Sequence, residues 1–166
     1  MQKKVFQLLV DNNSGVLSRI SGLFSRRGYN IDSITAGPTS NPKYTRITSV
    51  ASGDEDILEQ IEKQVGKLID VRAIWELEAD SSVYRELILI KVRADENERQ
   101  SIVAVTDIFR AKIIDVDKDS MIIELTGNQS KIDAFLDLLG GYEILEIART
   151  GIAGLKRGSD GVVRLG

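Results

Sequence analysis

The sequence predicts an α+β protein made of two tandem units, each with the element order β-α-β-β-α-β. Two observations carry this prediction. Apolar residues recur at the spacing of strands in some segments and at the spacing of helices in others. The order of these segments in the first half of the 166-residue chain then occurs a second time in the second half. This order is typical of the ferredoxin-like fold, in which two helices pack on one face of an antiparallel sheet.

The first half contains four predicted strands and two predicted helices. The strands are apolar or alternating runs bounded by turn residues, at 5–10, 31–36, 44–50 and 71–77. The first helix begins at Val16, where the apolar spacing becomes helical, and Gly28 is expected to end it as a left-handed cap. Asp54 is the expected N-cap of the second helix. The buried stripe of that helix is predicted to comprise Ile57, Leu58, Ile61, Val65 and Leu68.

The second half repeats this order after a short polar break. Its strands are predicted at 87–92, 112–116, 121–126 and 142–148. Asp95 and Glu98 form a capping-box pattern at the start of the third helix, which is expected to end near Arg110. Asn128 is the expected cap of the fourth helix, and a pair of glycines ends it at 140–141.

These patterns divide the chain into two domains. We expect a first domain at 1–78, a linker at 79–82, a second domain at 83–157 and a flexible tail at 158–166. Residues 149–157 carry glycines and basic side chains without a following helix signal. We therefore expect that stretch to be flexible as well.

The composition excludes several classes of enzyme and site. The chain has no Cys and no His, so disulfides, thiolate nucleophiles, imidazole bases and the common zinc ligands are absent. A net charge of −3 argues against a nucleic-acid partner. No apolar run is long enough to span a membrane, and the first residues lack the features of a signal peptide, so we expect a cytoplasmic protein. These features favour a binding or regulatory protein with no catalytic residues and no metal site.

The first predicted strand is apolar on both faces. Phe6, Leu8 and Val10 point to one side, whereas Val5 and Leu9 point to the other. Strands of this kind need cover on both sides. Either the two units of one chain cover each other, or copies of the chain assemble. We favour assembly, because small units with uncovered apolar faces commonly dimerise.

The loop at 11–15 leads from the first strand directly into a helix. The first N–H groups of a helix have no intrahelical acceptors, and the helix dipole favours an anion there. Asn12 and Asn30 each offer an amide donor and acceptor, and we expect the end of the first strand to lie near the start of the second. A carboxylate at the helix and an ammonium group at the amides would suit a free amino acid. On spacing alone, the stronger alternative is that Ser14 is only an N-cap and that both Asn residues are turn residues.

Longer motifs in the chain resemble one known family. They are the run Asn12-x-Ser14-Gly15-Val16-Leu17-Ser18-Arg19 and the segments at 22–31, 59–64, 67–71, 85–87, 108–116 and 148–151. In order and spacing they resemble the regulatory small subunit of acetohydroxyacid synthase (acetolactate synthase), over almost the whole chain. The resemblance implies that the first domain is an ACT domain, a ferredoxin-like module that binds amino acids. It implies that the second is the family's C-terminal ferredoxin-like domain.

The resemblance also implies a site for the feedback inhibitor valine at the interface of two ACT domains, and therefore a homodimer. The positions that match the family's site are Asn12, Gly15, Val16, Leu17, Asn30 and Ile31. Val16 and Leu17 would contribute backbone N–H groups. Asn13 departs from the family pattern, in which many members carry Glu, and this leaves the preferred branched-chain amino acid open. The second domain is expected to bind no amino acid, because Asp95 and Glu96 lie at the corresponding junction.

The same resemblance implies a non-catalytic partner of a catalytic large subunit. That large subunit is expected to carry thiamine diphosphate, Mg²⁺ and FAD, whereas this chain is expected to hold no cofactor. The chain would activate the large subunit and confer inhibition by valine. The alternative function is a free-standing ACT-type amino-acid sensor that acts on another target, and an enzyme is the third choice.

Overall fold

The computed structural model describes residues 1–165; residue 166, the last residue of the predicted tail, lies outside the described residues. The chain forms two compact units. The first comprises Met1–Val83 together with the residues from Ile152 onward, and the second comprises Tyr84–Gly151. Residues 152–157, which the sequence interpretation placed in the second domain, therefore group with the first unit.

The first unit is an antiparallel sheet with two helices. Its elements are β1 (Gln2–Asp11), α1 (Val16–Arg27), β2 (Asn30–Pro38), β3 (Tyr44–Gly53), α2 (Glu55–Gly66) and β4 (Val71–Leu77). The strand order is β2-β3-β1-β4, and each neighbouring pair is antiparallel. This arrangement confirms the predicted ferredoxin-like fold for the first half. Because β1 and β2 are both antiparallel to β3, they run in the same direction, and β2 lies at one edge of the sheet.

The core of the first unit lies between the sheet and its helices. The sheet contributes Phe6, Leu8, Val10, Ile47 and Ala51, and α1 contributes Val16, Ile20, Leu23 and Phe24. The buried side chains of α2 are Leu58, Ile61 and Val65. Ile57 was expected in the same stripe, but 36% of it is exposed. It follows the N-cap by three residues and lies at the margin of the face that meets the sheet.

The second unit repeats the architecture. After a 3₁₀ turn at Ala79–Ser81, its elements are β5 (Ser82–Arg93), α3 (Arg99–Ile108), β6 (Lys112–Val116), β7 (Ser120–Gly127), α4 (Gln129–Leu138) and β8 (Ile144–Arg149). The strand order is β6-β7-β5-β8. Its core combines inward-facing strand residues such as Ile88, Ile90 and Ile123 with Ile102 of α3 and Phe135 of α4. The prediction of two tandem ferredoxin-like units is therefore confirmed.

A ninth strand corrects the interpretation of residues 149–157. These residues were expected to be flexible, yet β8 continues to Arg149, and Ala153–Lys156 forms β9, which pairs with β5. The Arg157 N–H donates to the Ser81 carbonyl at 2.8 Å. The sequence carries little signal for this strand, because four residues are too few to establish an alternating pattern.

The sheet face opposite the helices of the first unit is also covered in part. Gln7 is fully buried and Leu9 is only 3% exposed, although both point away from the helices. Residues 153–163 lie over part of this face, where Leu155 shares cavity walls with Arg46 and Trp75. Within residues 1–165, no helix is long and apolar enough to cross a membrane.

Candidate functional site

The loop between β1 and α1 leaves the start of α1 without a side-chain cap. Gly15, and not Ser14, is the N-cap residue; its φ of +85° lies in the left-handed region that favours glycine. The first turn of α1 contains no acidic residue. The Val16 N–H has only a long contact of 3.4 Å to the Asn13 carbonyl. Within residues 1–165, the N–H groups of Leu17 and Ser18 have no acceptor, so the helix presents donors to a ligand.

Two of the other three helices, α2 and α4, have a side-chain cap at this place. The Asp54 carboxylate accepts from the Ile57 N–H at 3.1 Å before α2, and the Asn128 side chain accepts from the Lys131 N–H at 2.9 Å before α4. At the corresponding junction of the second unit, the Asp95 carboxylate accepts from the Asn97 and Glu98 N–H groups at 2.9 Å each. The first two bonds confirm the predicted caps of α2 and α4. At the third helix the N-cap residue is Glu98, which has no side-chain cap bond, and Asp95 caps the turn that precedes the helix. The absence of an amino-acid site in the second unit stays a prediction.

Asn12 ties the same loop to the hairpin between β2 and β3. Its Nδ2 donates to the Pro42 carbonyl at 3.0 Å, and its Oδ1 accepts from the Thr45 hydroxyl at 3.1 Å. The Asn12 N–H also donates to the Lys43 carbonyl at 2.8 Å. The amide therefore has a structural role that the sequence did not predict. Its second N–H and the second lone pair of its oxygen remain for a ligand.

Two ion pairs flank the loop. Arg19, one turn into α1, donates from Nε to the Asp70 carboxylate at 2.5 Å, and this bond raises the pKa of Arg19. Arg72 holds the Asp11 carboxylate with two bonds of 2.7 and 3.2 Å. A Cβ added to Gly15 would lie 3.0 Å from Nη1 of Arg19. The Arg19 guanidinium therefore lies beside the open helix start with its charge paired to Asp70, a position that its helical spacing from Gly15 could have indicated.

Asn30 belongs to a second polar group at the start of β2. Its Nδ2 donates to Asp32 Oδ1 at 3.1 Å, and Asp32 Oδ2 accepts from the Ser52 hydroxyl at 2.6 Å. Lys3 pairs with the same carboxylate at 3.1 Å. The Ser52 hydroxyl bond, supported by Lys3 and Asn30, holds the pKa of Asp32 below its ordinary value against the opposing effect of burial.

The two asparagines lie at opposite ends of the sheet within one chain, so the expectation that they are neighbours is wrong. Asn12 bonds to Thr45 at the start of β3, whereas Asn30 is paired with Ser52 near its end. Seven residues of strand separate these positions, a distance of about 23 Å. The reason is the parallel direction of β1 and β2, which places the end of one strand far from the start of the other. A site that uses both amides needs two chains.

The remaining predicted positions divide in the same way. Val16 is buried in the core, while 45% of Leu17 is exposed, and both accompany Gly15 at the start of α1. Ile31 follows Asn30 and is half-buried against the core. The structure therefore brings Asn12, Gly15, Val16 and Leu17 together at one end of the sheet. It places Asn30 and Ile31 at the opposite end.

These features define a protein with two ferredoxin-like domains, of which the first is of the ACT type. A family model described as "AHAS small subunit-like ACT domain" matches residues 6–73, and one described as "Small subunit of acetolactate synthase" matches residues 85–158. The chain belongs to the acetolactate synthase small-subunit family.

Relatives match along nearly their whole length. The probable acetolactate synthase small subunit of Methanothermobacter thermautotrophicus is 48% identical over 93% of this chain and 93% of its own. The acetolactate synthase isozyme 3 small subunit of Escherichia coli is 45% identical over 94% of this chain and 96% of its own. The crystal structure of the acetolactate synthase small subunit from Thermotoga maritima has a TM-score of 0.86 and 42% identity, over 96% of this chain and 99% of that one.

Proposed function

We propose that this chain is the non-catalytic regulatory subunit of an acetolactate synthase in branched-chain amino-acid biosynthesis. The observation that carries this function is the match to acetolactate synthase small subunits over both domains. The chain binds a catalytic large subunit in the cytoplasm and raises its activity. That large subunit holds thiamine diphosphate, Mg²⁺ and FAD, and condenses pyruvate with pyruvate or 2-oxobutyrate.

The proposed effector is valine, bound at the open start of α1. Three donors at this helix start, the N–H groups of Val16, Leu17 and Ser18, are directed at the position that a ligand carboxylate would take. Gly15 has no Cβ, and the guanidinium of Arg19, whose Nε is paired with Asp70, lies beside it. The amides of Asn12 and Asn30 supply acceptors for the ammonium group. The helices α2 and α4 have a side-chain cap at this place, and the start of α3 has the Asp95 carboxylate in the preceding turn.

The proposed site forms between two chains. β2 is an edge strand with β3 as its neighbour within residues 1–165. If the β2 strands of two copies pair antiparallel about a two-fold axis, the start of one β2 lies beside the end of the other. Asn30 of one chain then lies near the β1–α1 loop of the partner chain. The two Asn12 side-chain bonds hold that loop against the hairpin at the end of β2. This arrangement gives the dimer two equivalent effector sites.

Inhibition by valine follows from the thermodynamic linkage between valine binding and the arrangement of the complex. Valine inhibits only if it binds the less active arrangement of the complex more tightly than the active one, because only that difference in affinity shifts the population. A site shared by two chains makes the relative placement of those chains depend on the ligand. The regulatory signal to the large subunit is therefore a change in the ACT dimer.

Reconstitution with the large subunit tests this function. The chain is expected to co-purify with the large subunit, raise its rate of acetolactate formation, and make that rate fall as valine rises. Failure to bind a thiamine-dependent large subunit, with valine binding retained, would favour the alternative of a free-standing amino-acid sensor. Turnover of pyruvate by the purified chain alone would favour an enzyme.

A further inference from the structure

A second candidate binding site lies on the sheet face of the first unit that points away from the helices. A cavity of about 400 Å³ lies between this face and residues 155–163. Arg46 and Trp75 form its floor, and Ser82 lies in its wall. A smaller cavity of about 250 Å³ adjoins it and shares Arg46 and Leu155. Neither cavity includes a residue of the proposed valine site.

Arg46 is an unneutralised cation in this cavity. Its guanidinium stacks over the Trp75 ring, 5.8 Å from the ring centroid, and has no carboxylate within 4 Å among residues 1–165. Burial lowers the pKa of Arg46, as expected for a cation partly removed from water without a neutralising partner. An anionic group bound beside Arg46 would offset this loss of hydration.

Ser82 supplies an independent second indication. Its residue is 5% exposed, and its Oγ has no hydrogen-bond partner within the described chain. Buried hydroxyl groups are normally hydrogen-bonded, so this one has an unmet hydrogen bond. Ser82 and Arg46 line the same cavity. The Ser82 Oγ is closed off in this conformation, and a rotation of its side chain toward the cavity would make it a second donor to one molecule.

The rest of the cavity lining carries more carboxylates than cations. Glu78 and Asp160 are exposed side chains of its lining, and neither has an ion-pair partner within residues 1–165. Glu76 also lines it but is already paired with Lys4 at 3.6 Å. Lys156 is the second cation of the lining, and Leu155 contributes an apolar surface. The half-buried Arg46 is thus the inner charge of the lining, and the exposed part carries two unpaired carboxylates and Lys156.

We propose that this cavity binds a small dipolar molecule, an amino carboxylate, at a site separate from the valine site. The carboxylate binds Arg46 and, after rotation of the side chain, the Ser82 hydroxyl. The ammonium group faces Glu78 and Asp160, and the carbon chain contacts Leu155. A simple anion would meet the repulsion of the two exposed carboxylates, and a simple cation would meet Arg46. A molecule with both charges satisfies both ends of the cavity.

Tryptophan fluorescence of the intact chain reports this site directly, because Trp75 is the only tryptophan in the sequence. The probes are glycine, valine and 4-aminobutanoate, with butanoate and butylamine as singly charged controls. At least one amino carboxylate is expected to give a saturable change with a dissociation constant at or below ~10 mM, and both singly charged controls to bind at least roughly tenfold more weakly. The proposal is overturned if no amino carboxylate changes the fluorescence, or if butanoate or butylamine binds equally well.

Two variants separate binding from folding. Ser82→Ala removes a hydroxyl that has no partner to lose, so the folded chain is expected to keep its stability while probe affinity falls roughly tenfold. Arg46→Gln is expected to weaken binding, measured by calorimetry, by at least roughly tenfold, whereas Arg27→Gln on α1 is the matched control and leaves it unchanged. Unchanged affinity in both Ser82→Ala and Arg46→Gln would overturn the proposal.

The valine site is tested in the same experiment. Asn12→Ala is expected to leave the fluorescence response to the probes intact while it weakens valine inhibition of the reconstituted enzyme. Loss of the fluorescence response in Asn12→Ala would overturn the separate cavity, because the probes would then act through the effector loop. Failure of valine inhibition in the unmodified chain, with the fluorescence response retained, would contradict the effector proposal alone.

Discussion

Gly15 combines a left-handed backbone conformation with a close side-chain neighbour, Arg19. Its φ of +85° strains any side chain, and a Cβ would lie 3.0 Å from the Arg19 guanidinium. Gly15→Ala is therefore expected to lower the free energy of unfolding by about 1 kcal/mol. Gly15→Asp carries the same strain, but its carboxylate is stabilised by the start of α1. We expect Gly15→Asp to be the more stable of the two variants and the weaker in valine binding.

Urea unfolding and valine titration of both variants check this prediction. The variant with the higher stability, Gly15→Asp, is expected to have the lower valine affinity. This order distinguishes a ligand site from a strained loop, because strain alone would lower stability and valine affinity together. Equal valine affinity in Gly15→Ala and Gly15→Asp would contradict a carboxylate site at the helix start.

Asp32 gives the chain a pH-dependent element of stability next to Asn30. The Ser52 hydroxyl bond, with Lys3 and Asn30, keeps the pKa of Asp32 low in the folded state. The unfolded-state pKa of an aspartate is about 3.9, so this contribution is complete above that pH and is lost as the pH falls through the lower folded-state pKa. Asp32→Asn is expected to reduce stability near neutral pH and to flatten the acid limb of the stability curve.

The measurement is the free energy of unfolding in urea between neutral pH and about pH 2. Asp80→Asn is the matched control, because Asp80 is an exposed residue of the 3₁₀ turn whose carboxylate accepts no hydrogen bond within residues 1–165. An acid limb of the same slope in Asp32→Asn and the unmodified chain would contradict the role of the Ser52 bond.

At the scale of elements, the start of α1 is the feature on which the effector proposal depends. Ser18 is exposed in the first turn, and Ser18→Glu would place a carboxylate near donors that are otherwise open. This change is expected to stabilise the chain by about 0.3–1 kcal/mol. It is also expected to weaken valine binding by competing with the ligand carboxylate.

The matched control is Ser130→Glu in the first turn of α4. That turn also lacks an acidic residue, but its helix is already capped by Asn128. Ser130→Glu is expected to raise thermal stability by a similar amount without any effect on valine binding. Equal effects of the two variants on valine affinity would contradict the assignment of the site to α1.

Most elements could be predicted from local patterns. Helical spacing located α1 and α2, and the side-chain chemistry of Asp54 and Asn128 located two helix starts. β9 was missed because its four residues carry no alternating pattern of their own. Their place is set by contacts made far away in the chain, such as the bond from Arg157 to Ser81.

The site could be predicted only in part for a related reason. The residues of the β1–α1 loop are close in sequence, so their proximity follows from local geometry. The distance between Asn12 and Asn30 depends on the directions of β1 and β2, which only the strand order reveals. The anchoring of Asn12 to the hairpin is likewise a contact between residues 30 or more positions apart.

At the scale of the whole molecule, an effector site shared between two chains requires a dimer whose stability depends on the effector. If the site exists only between two chains, valine must tighten the dimer by the same free energy with which the dimer binds it better than the monomer. Sedimentation is expected to give twice the 18.3 kDa mass of the chain at micromolar concentration, with a dissociation constant that falls as valine rises. Asn30→Ala is expected to keep the dimer but lose the valine effect. A persistent monomer with and without valine would contradict the shared site.

The shared valine site is tested most directly with a mixture of two variant chains. Asn12→Ala and Asn30→Ala each impair both sites of their own homodimer, and valine affinity is expected to fall roughly tenfold to a hundredfold. In a mixed dimer, one site receives both substitutions and the other receives neither, because each site takes Asn12 from one chain and Asn30 from its partner. Calorimetric titration of the mixed dimer with valine is therefore expected to recover one site of unmodified affinity per dimer. Recovery of no such site would contradict the account, since it would mean that the two asparagines do not act in one site shared between chains.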